Sequence, residues 1–285
     1  MDENNILSKY SRSPKIYLDL PSKGRFYQSN PCEKSGTGEL PILAMTAKDE
    51  LIFRTPDALM NGDAVASVVK SCVPMIEDPW DIPSIDMEAI LIAIRIATTG
   101  EKLKVEMAIP KTEGETLEVE VGLPEILDTM KQKQWNDTFH YEDLTFHVVP
   151  LKLRHQNFFD IESFETQRFI NVLKDESIEG EKRKKLIQEI LDKASFNNID
   201  VVSKQIVKIS TPEGDETNPV KITEFLSQSE NKLYNAVKQH LVSNREQFDI
   251  PSQTVNVPEH ILEKFPEAPK TMNVPVFLNN VNFFV

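Results

Sequence analysis

Apolar positions along the chain follow two periods, and the change from one to the other divides the sequence. Ile16, Leu18 and Leu20 alternate with Tyr17 and Asp19, the period-two pattern of a short strand, before Pro21-Ser22-Lys23-Gly24 turns the chain. Leu40 to Met45 reads as an edge strand, because Pro41 lacks the donor that an inner ladder needs. Thr46 with Asp49 and Glu50 behind it predicts an N-cap and a short helix from Ala47 to Phe53. Thr55-Pro56-Asp57 repeats the device, with Asn61-Gly62 as its stop, and a helix from Asp63 carries Val65, Val68, Val69 and Cys72 at helical spacing up to Pro74.

The most hydrophobic helix opens at Ile85-Asp86-Met87-Glu88 and closes at Gly100. It is apolar nearly all round, which predicts burial on more than one side and a place at the centre of the first domain. Lys104 to Ala108 and Thr116 to Val121 alternate apolar and charged residues and predict two antiparallel strands, one face inward. Pro124 to Gln134 follows as a short amphipathic helix and Thr145 to Leu153 as a further strand.

Beyond Leu153 the period reads as helical. Phe158, Ile161 and Phe164 with Phe169 to Leu173 predict one helix, Lys182 to Val207 another or a broken pair, and Ile222 to Gln247 a third, with a turn at Thr211 to Asp215. The last segment carries Pro251, Pro258, Pro266, Pro269 and Pro275 and ends on Phe277, Leu278, Phe283 and Phe284, a poorly helical tail with an apolar end. The expected fold class is α+β. A mixed N-terminal domain with short strands around a buried helix (1–153, with an extended leader) precedes a mainly helical region (154–250) and a proline-rich extended tail (251–285).

Composition narrows the class. With 285 residues, 40% hydrophobic and 27% charged, the chain can bury one large core or two ordinary ones. The 32 basic against 45 acidic residues give a net charge of −13, which argues against bulk binding of nucleic acid. The charge is uneven: residues 1–30 hold 5 bases and 3 acids (+2), 31–150 hold 10 and 22 (−12), and 151–285 hold 17 and 20 (−3). An ordinary solvated surface and a docking face for a basic partner both fit that acidic section. Cys32 and Cys72 form no CxxC pair and read as two free thiols in a reducing compartment. The N-terminus lacks a secretory pattern, and the longest apolar stretch, Ala89 to Ala97, contains Arg95 and is too short to span a bilayer. A soluble protein made in the cytosol, with no membrane partner, is expected.

No motif for catalysis stands out. His140 and His147 are seven apart, a spacing that on one strand places them on opposite faces and argues against a metal pair; no HExxH accompanies the other histidines. Gly24 and Gly36-Thr37-Gly38 complete no phosphate-binding loop and read as turns, and no GxSxG elbow is present. The carboxylates from Glu113 to Glu120 alternate with apolar residues and point outward from a strand. Lys182-Arg183-Lys184-Lys185 lies among Glu179, Glu181 and Glu189, which favours a salt-paired helix surface over a nucleic-acid site. No cofactor, metal or small-molecule substrate is implied.

The string Leu20-Pro21-Ser22-Lys23-Gly24-Arg25-Phe26-Tyr27, then Ala44-Met45-Thr46-Ala47-Lys48-Asp49-Glu50, Leu59-Met60-Asn61-Gly62 and the helix to Cys72-Val73 is similar to the baseplate hub and tail assembly protein family of T-even-type contractile-tailed phages. Ile94-Arg95-Ile96-Ala97-Thr98-Thr99-Gly100 resembles that family's "IRI…YG" element, and Asn279-Asn280-Val281-Asn282-Phe283-Phe284 resembles its terminal Phe-Phe. The likeness covers about residues 16–100 and the last few. Some members carry cysteine pairs resembling a zinc ribbon after this helix; here the interval has none, so no metal role follows from the resemblance. The resemblance implies a non-enzymatic tail protein whose partners are other phage baseplate or hub proteins, in multiple copies within a symmetric assembly. It would work as a subunit kept in the virion tail, or as an assembly chaperone that leaves before completion, and would be found in the host cytoplasm during assembly.

Proline-rich, apolar-ended extensions at both termini suit threading along neighbouring subunits. The expected partner contacts are Pro21, Lys23, Gly24, Arg25, Phe26 and Tyr27 in the first segment and Phe277, Leu278, Phe283 and Phe284 in the last; a tail packed on its own domain is the competing expectation.

Overall fold

The structure, a computed structural model, describes residues 11–53, 62–159, 161 and 198–276. β1 (Pro14–Leu18) pairs antiparallel with β2 (Leu40–Leu43), and a loop and α1 (Pro31–Ser35) connect them. α1 starts where the Asn30 side chain accepts the Cys32 N–H at 3.0 Å, and it stops at Gly36, whose φ of +72° suits a residue without Cβ. α2 (Ala47–Phe53) carries a reciprocal cap: Thr46 Oγ1 accepts the Asp49 N–H at 3.2 Å, and Asp49 Oδ2 accepts the Thr46 N–H at 2.7 Å. α3 (Asp63–Cys72), a 3-10 turn (Pro79–Asp81) and α4 (Ser84–Thr99) follow.

α4 is the central helix that its apolar girdle predicts. Ala89, Ile90 and Ile92 to Ile94 are all but inaccessible to solvent, between the β1–β2 pair on one side and α3 and α5 (Leu123–Met130) on the others. The hairpin of β3 (Lys102–Ala108) and β4 (Thr116–Gly122) turns Leu103, Val105, Val119 and Val121 toward this core, and its outer face carries the ion pairs Lys102–Glu120 and Lys104–Glu118, both at 2.7 Å.

A second core lies beneath an antiparallel sheet of order β5-β6-β7-β8, made of Thr138–Tyr141, Leu144–Val148, Ile206–Thr211 and Gly214–Glu216. Phe146, Val148, Ile206 and Ile209 meet α6 (Pro219–Gln228) and α7 (Asn231–Glu246) through Ile222, Leu226, Val237 and Leu241. A third, smaller core joins β9 (Gln253–Asn256), α8 (Glu259–Lys264) and β10 (Thr271–Val274) to the tip of the β3–β4 hairpin through Ile109, Val257, Ile261 and Met272.

This architecture corrects the expectation of a mainly helical C-terminal half. Among the described residues, that half contributes four strands beside the helices α6 (Pro219–Gln228), α7 (Asn231–Glu246) and α8 (Glu259–Lys264) and helical stretches at 153–159 and 198–203. The spacing from Lys182 to Val207 predicts a helix or a broken pair; of its described part 198–203 is helical, whereas Ile206 and Val207 open β7 (Ile206–Thr211). Its register shifts at His147/Val148, so that Ile206 opposes Val148 while Lys208 opposes His147, and the extra residue lets Ile206 and Ile209 both face inward. The helix expected from Ile222 to Gln247 is two helices, because Ser229 and Glu230 are extended; the Ser227 and Ser229 hydroxyls donate to the Glu224 and Leu226 carbonyls that end α6.

The tail expected to be extended is ordered as β9, α8 and β10 up to Val276. Pro251 and Pro275 flank the hairpin, Pro258 opens α8, and Pro266 and Pro269 lie in the connection to β10, so its prolines bound elements instead of preventing them. The remaining helices expected between residues 162 and 197, with the Lys182 to Lys185 run, the Thr55 to Asp57 cap and the ends Phe277, Leu278, Phe283 and Phe284, lie outside the described residues.

Val274 belongs to the first core and is 0% exposed, whereas Val220 is 73% exposed. Val274→Ala is expected to lower the unfolding free energy by roughly 1.5–3 kcal/mol. The same truncation at Val220 should change it by less than about 0.5 kcal/mol, both read from urea unfolding.

Candidate interaction loop and its buried carboxylates

The chain between β1 and α1 is a tight loop whose shape three left-handed residues set: Lys23 (φ +56°), Gly24 (φ +74°) and Phe26 (φ +71°). A side chain is costly in that region for Lys23 and Phe26, so surrounding contacts must hold them there. Within the loop the Lys23 N–H donates to the Leu20 carbonyl at 2.9 Å, the Arg25 N–H to the Ser22 carbonyl at 3.1 Å and the Gly24 N–H to Ser22 Oγ at 3.1 Å. A Cβ on Gly24 would stand 1.8 Å from Asn30 Oδ1, the atom that caps α1.

Two buried carboxylates bind this loop from beneath. Asp86, in the first turn of α4 and 0% exposed, accepts the Ser22 N–H on Oδ1 at 2.8 Å, and on Oδ2 it accepts the Ser22 hydroxyl at 2.5 Å and the Tyr27 hydroxyl at 3.0 Å. Burial pushes its pKa up to about 6, and the donors from Ser22 and Tyr27 pull against that rise. The same burial, with Asp86 beside it, pushes the Tyr27 hydroxyl well above its ordinary value. Asp81, at the end of the 3-10 turn, accepts the Gln28 N–H at 2.6 Å and binds the Lys152 ammonium.

The loop also joins the two larger cores. Leu20 and Tyr27 pack with the first, while Phe26 packs with the second, edge-on to Trp135 with ring centres 6.4 Å apart. Trp135 lies equally close to Phe248 and donates its indole N–H to the Val148 carbonyl at 3.1 Å. Arg25 lies over the Phe26 ring and pairs with Asp137 at 2.6 Å. Asn244 holds the same segment by both ends of its amide, accepting the Asn136 N–H at 3.1 Å and donating to the Asn136 carbonyl at 2.6 Å.

The acidic section is tied by cations from outside it. Among the described residues, Arg12 pairs with Asp49, Arg25 with Asp137, Lys152 with Asp81, Arg154 with Asp78, Arg245 with Glu88 and Lys264 with Glu115. Arg12 shows how such a pair works: its guanidinium also donates to the carbonyls of Ala44 and Ser71, so one side chain fixes the leader to β2, α2 and α3. Six of the 22 acids in residues 31–150 thus face the chain's own flanking segments, which lowers what the section can offer an outside partner.

Of the residues expected to meet partners, Pro21 and Gly24 are buried and Tyr27 is engaged by Asp86, which leaves Lys23 and Arg25 exposed on the crest and Phe26 half-buried between the cores. Lys23 pairs with Asp19 at 2.8 Å. Asp81, Asp86, Trp135 and Asn244 do not stand out in the sequence. Asp86 reads there only as an acid in a helical first turn, and no local pattern reports that a distant loop covers it.

His140 and His147 also differ from expectation. The turn at Glu142-Asp143 puts them on adjacent strands, with His140 opposite Thr145 and His147 opposite Thr138, so both lie on the same, outer face of the sheet. They bond to Thr145 and Ser210 respectively, and no group of three metal-ligating side chains occurs among the described residues. Both cysteines are free and buried, and burial raises each thiol to about 11. No helix among the described residues is long and apolar enough to cross a membrane.

A family model described as T4 bacteriophage base plate protein matches residues 13–264. No curated protein and no solved structure matches the chain.

Asp86→Ala would strand a buried N–H and two hydroxyls and is expected to cost about 2–4 kcal/mol of stability at neutral pH. Asp86→Asn should cost clearly less, since an amide oxygen can still accept the Ser22 N–H while the hydroxyls turn to accept from its NH2. Equal losses for the two variants in urea unfolding would refute the role given to these donors.

Proposed function

The chain belongs to the T4 bacteriophage base plate protein family, and from that membership we propose that it is a non-enzymatic structural component of the tail baseplate, in its hub or wedge region. It acts through contacts with other baseplate or hub proteins, is present in several copies in a symmetric assembly, is made in the host cytoplasm and remains in the virion tail. The observation that carries this reading is the extent of the match, residues 13–264, which takes in the loop, the buried residues of the first core except Val274, the whole second core and most of the third.

The surface supports a contact role. Lys23 and Arg25 stand on a crest whose backbone is fixed from below, so little order has to be gained when a neighbour docks on them. Phe277, Leu278, Phe283 and Phe284 follow directly on the packed C-terminal module and are the second contact segment of the proposal. The alternative is a hub assembly chaperone absent from the finished particle, for which an acidic section would suit a basic client. The six acids held by the chain's own cations weigh against it.

Mass spectrometry of purified virions separates the two. Stoichiometric presence is expected, and absence would replace the subunit with the chaperone. Deletion of the last eight residues, and separately the double variant Lys23→Glu and Arg25→Glu, should each reduce co-purification with baseplate proteins. Unchanged capture by either protein would remove that segment from the interface.

A further inference from the structure

We propose that the Leu20 to Gln28 loop is a proton-operated latch between the first and second cores, closed when Asp86 is protonated and loosened when Asp86 is ionised. The geometry has three parts. Asp86 is 0% exposed and, among the described residues, its hydrogen-bond donors all come from this one loop. The loop holds two non-glycine residues at positive φ, a conformation that lasts only while its anchors hold it. Its Phe26 reaches the second core at Trp135, so release at Asp86 reaches beyond the first core.

Among the described residues, the charged and titratable groups around Asp86 leave it without a cation in contact. Tyr27 from the loop donates to it, and the Lys23 ammonium favours its ionised form from a distance. The Cys32 thiol of α1 feels Asp86 and also Asp19, which follows β1 and pairs with Lys23; Asp81 of the 3-10 turn, held by Lys152, acts on Tyr27. The neutral acid suits this surrounding. Its Oδ2 proton can go to the Ser22 or Tyr27 oxygen, since a hydroxyl accepts as well as donates, and no charge then stays in the apolar layer.

The direction with pH follows. Burial holds the folded carboxyl at about 6, against an ordinary 3.8 once the loop is open. Opening is therefore least favourable below 3.8, grows easier as pH rises through that interval, and levels off above about 6. Between pH 5 and pH 7.5 the opening equilibrium should rise about tenfold.

The test uses the full chain, with hydrogen exchange followed at pH 5 and pH 7.5 after correction for intrinsic rates. The amides of Ser22, Lys23, Arg25 and Gln28 are expected to lose about tenfold protection at the higher pH. The Trp135 indole N–H, followed by NMR, should lose protection in parallel. Asp86→Asn should abolish this dependence. Tyr27→Phe, which removes one donor to the ionised form, should keep it and move its midpoint upward. Equal protection of the wild type at both pH values, the same pH dependence in Asp86→Asn, or an unmoved midpoint in Tyr27→Phe would each overturn the latch. A loop that responds while Trp135 does not would overturn its connection to the second core. Should Asp86→Asn fail to fold, the Tyr27→Phe midpoint decides alone.

Discussion

Removing the Asp86 carboxylate from water, with no cation in contact among the described residues, costs on the order of several kcal/mol unless fixed donors take the place of hydration. Those donors are one N–H and two hydroxyls separated by five positions in the chain, which can reach a single carboxylate only if the backbone between Ser22 and Tyr27 folds back on itself. That reversal brings the left-handed conformations of Lys23, Gly24 and Phe26, sets Gly24 against the Asn30 cap of α1, and turns Phe26 away from the core that holds Leu20 and Tyr27. Ile85, the neighbour of Asp86, packs in the second core, while Ala89 and Ile90 one turn later pack in the first. The start of α4 is thus the place where both cores and the loop are set relative to one another.

Electrostatics serves position more than stability. Several of the ion pairs that join the acidic section to its flanks are exposed, and such pairs contribute little each because water and salt screen them. Apolar burial carries the fold, and the pairs select which segment lies where: Arg12 at the caps of α2, Arg154 at the 3-10 turn, Lys264 at the hairpin tip. Six of the 22 acids in the section of residues 31–150, which carries −12 against +2 before residue 31, take part in this self-assembly. For a baseplate family member the consequence is that a charge surplus seen in sequence overstates the free acidic surface available to a neighbour.

Elements whose cause lies inside the segment are legible in the sequence. The reciprocal Thr46–Asp49 cap, the all-round apolar girdle of α4 and the alternation of β3 and β4 are local properties, and each element forms where its residues indicate. Where the cause lies in a partner strand, the local pattern misleads. Ile206 and Val207, read as the end of a helix, open a strand paired with β6, and His140 and His147 change from opposite faces to one face once the Glu142-Asp143 turn divides them between two strands. The prolines after residue 250 are visible in the chain, but not that they bound elements packed on the β3–β4 hairpin. In the candidate loop, Pro21 to Tyr27 stand out by composition and turn chemistry, whereas the carboxylates that hold them do not.

By itself, the sequence determined the period of each locally caused segment, its caps and turns, the buried character of α4 and the prominence of the loop that carries the family likeness, because those properties depend on residues within a few positions of one another. Tertiary structure alone decided that Asp86 accepts from Ser22 and Tyr27 some 60 residues away, that Phe26 crosses to Trp135, and that Val274 completes the first core. The physical reason is burial. Desolvation of a carboxylate and the packing of a side chain depend on what covers them, and nothing near Asp86 or Val274 in the chain indicates what that will be.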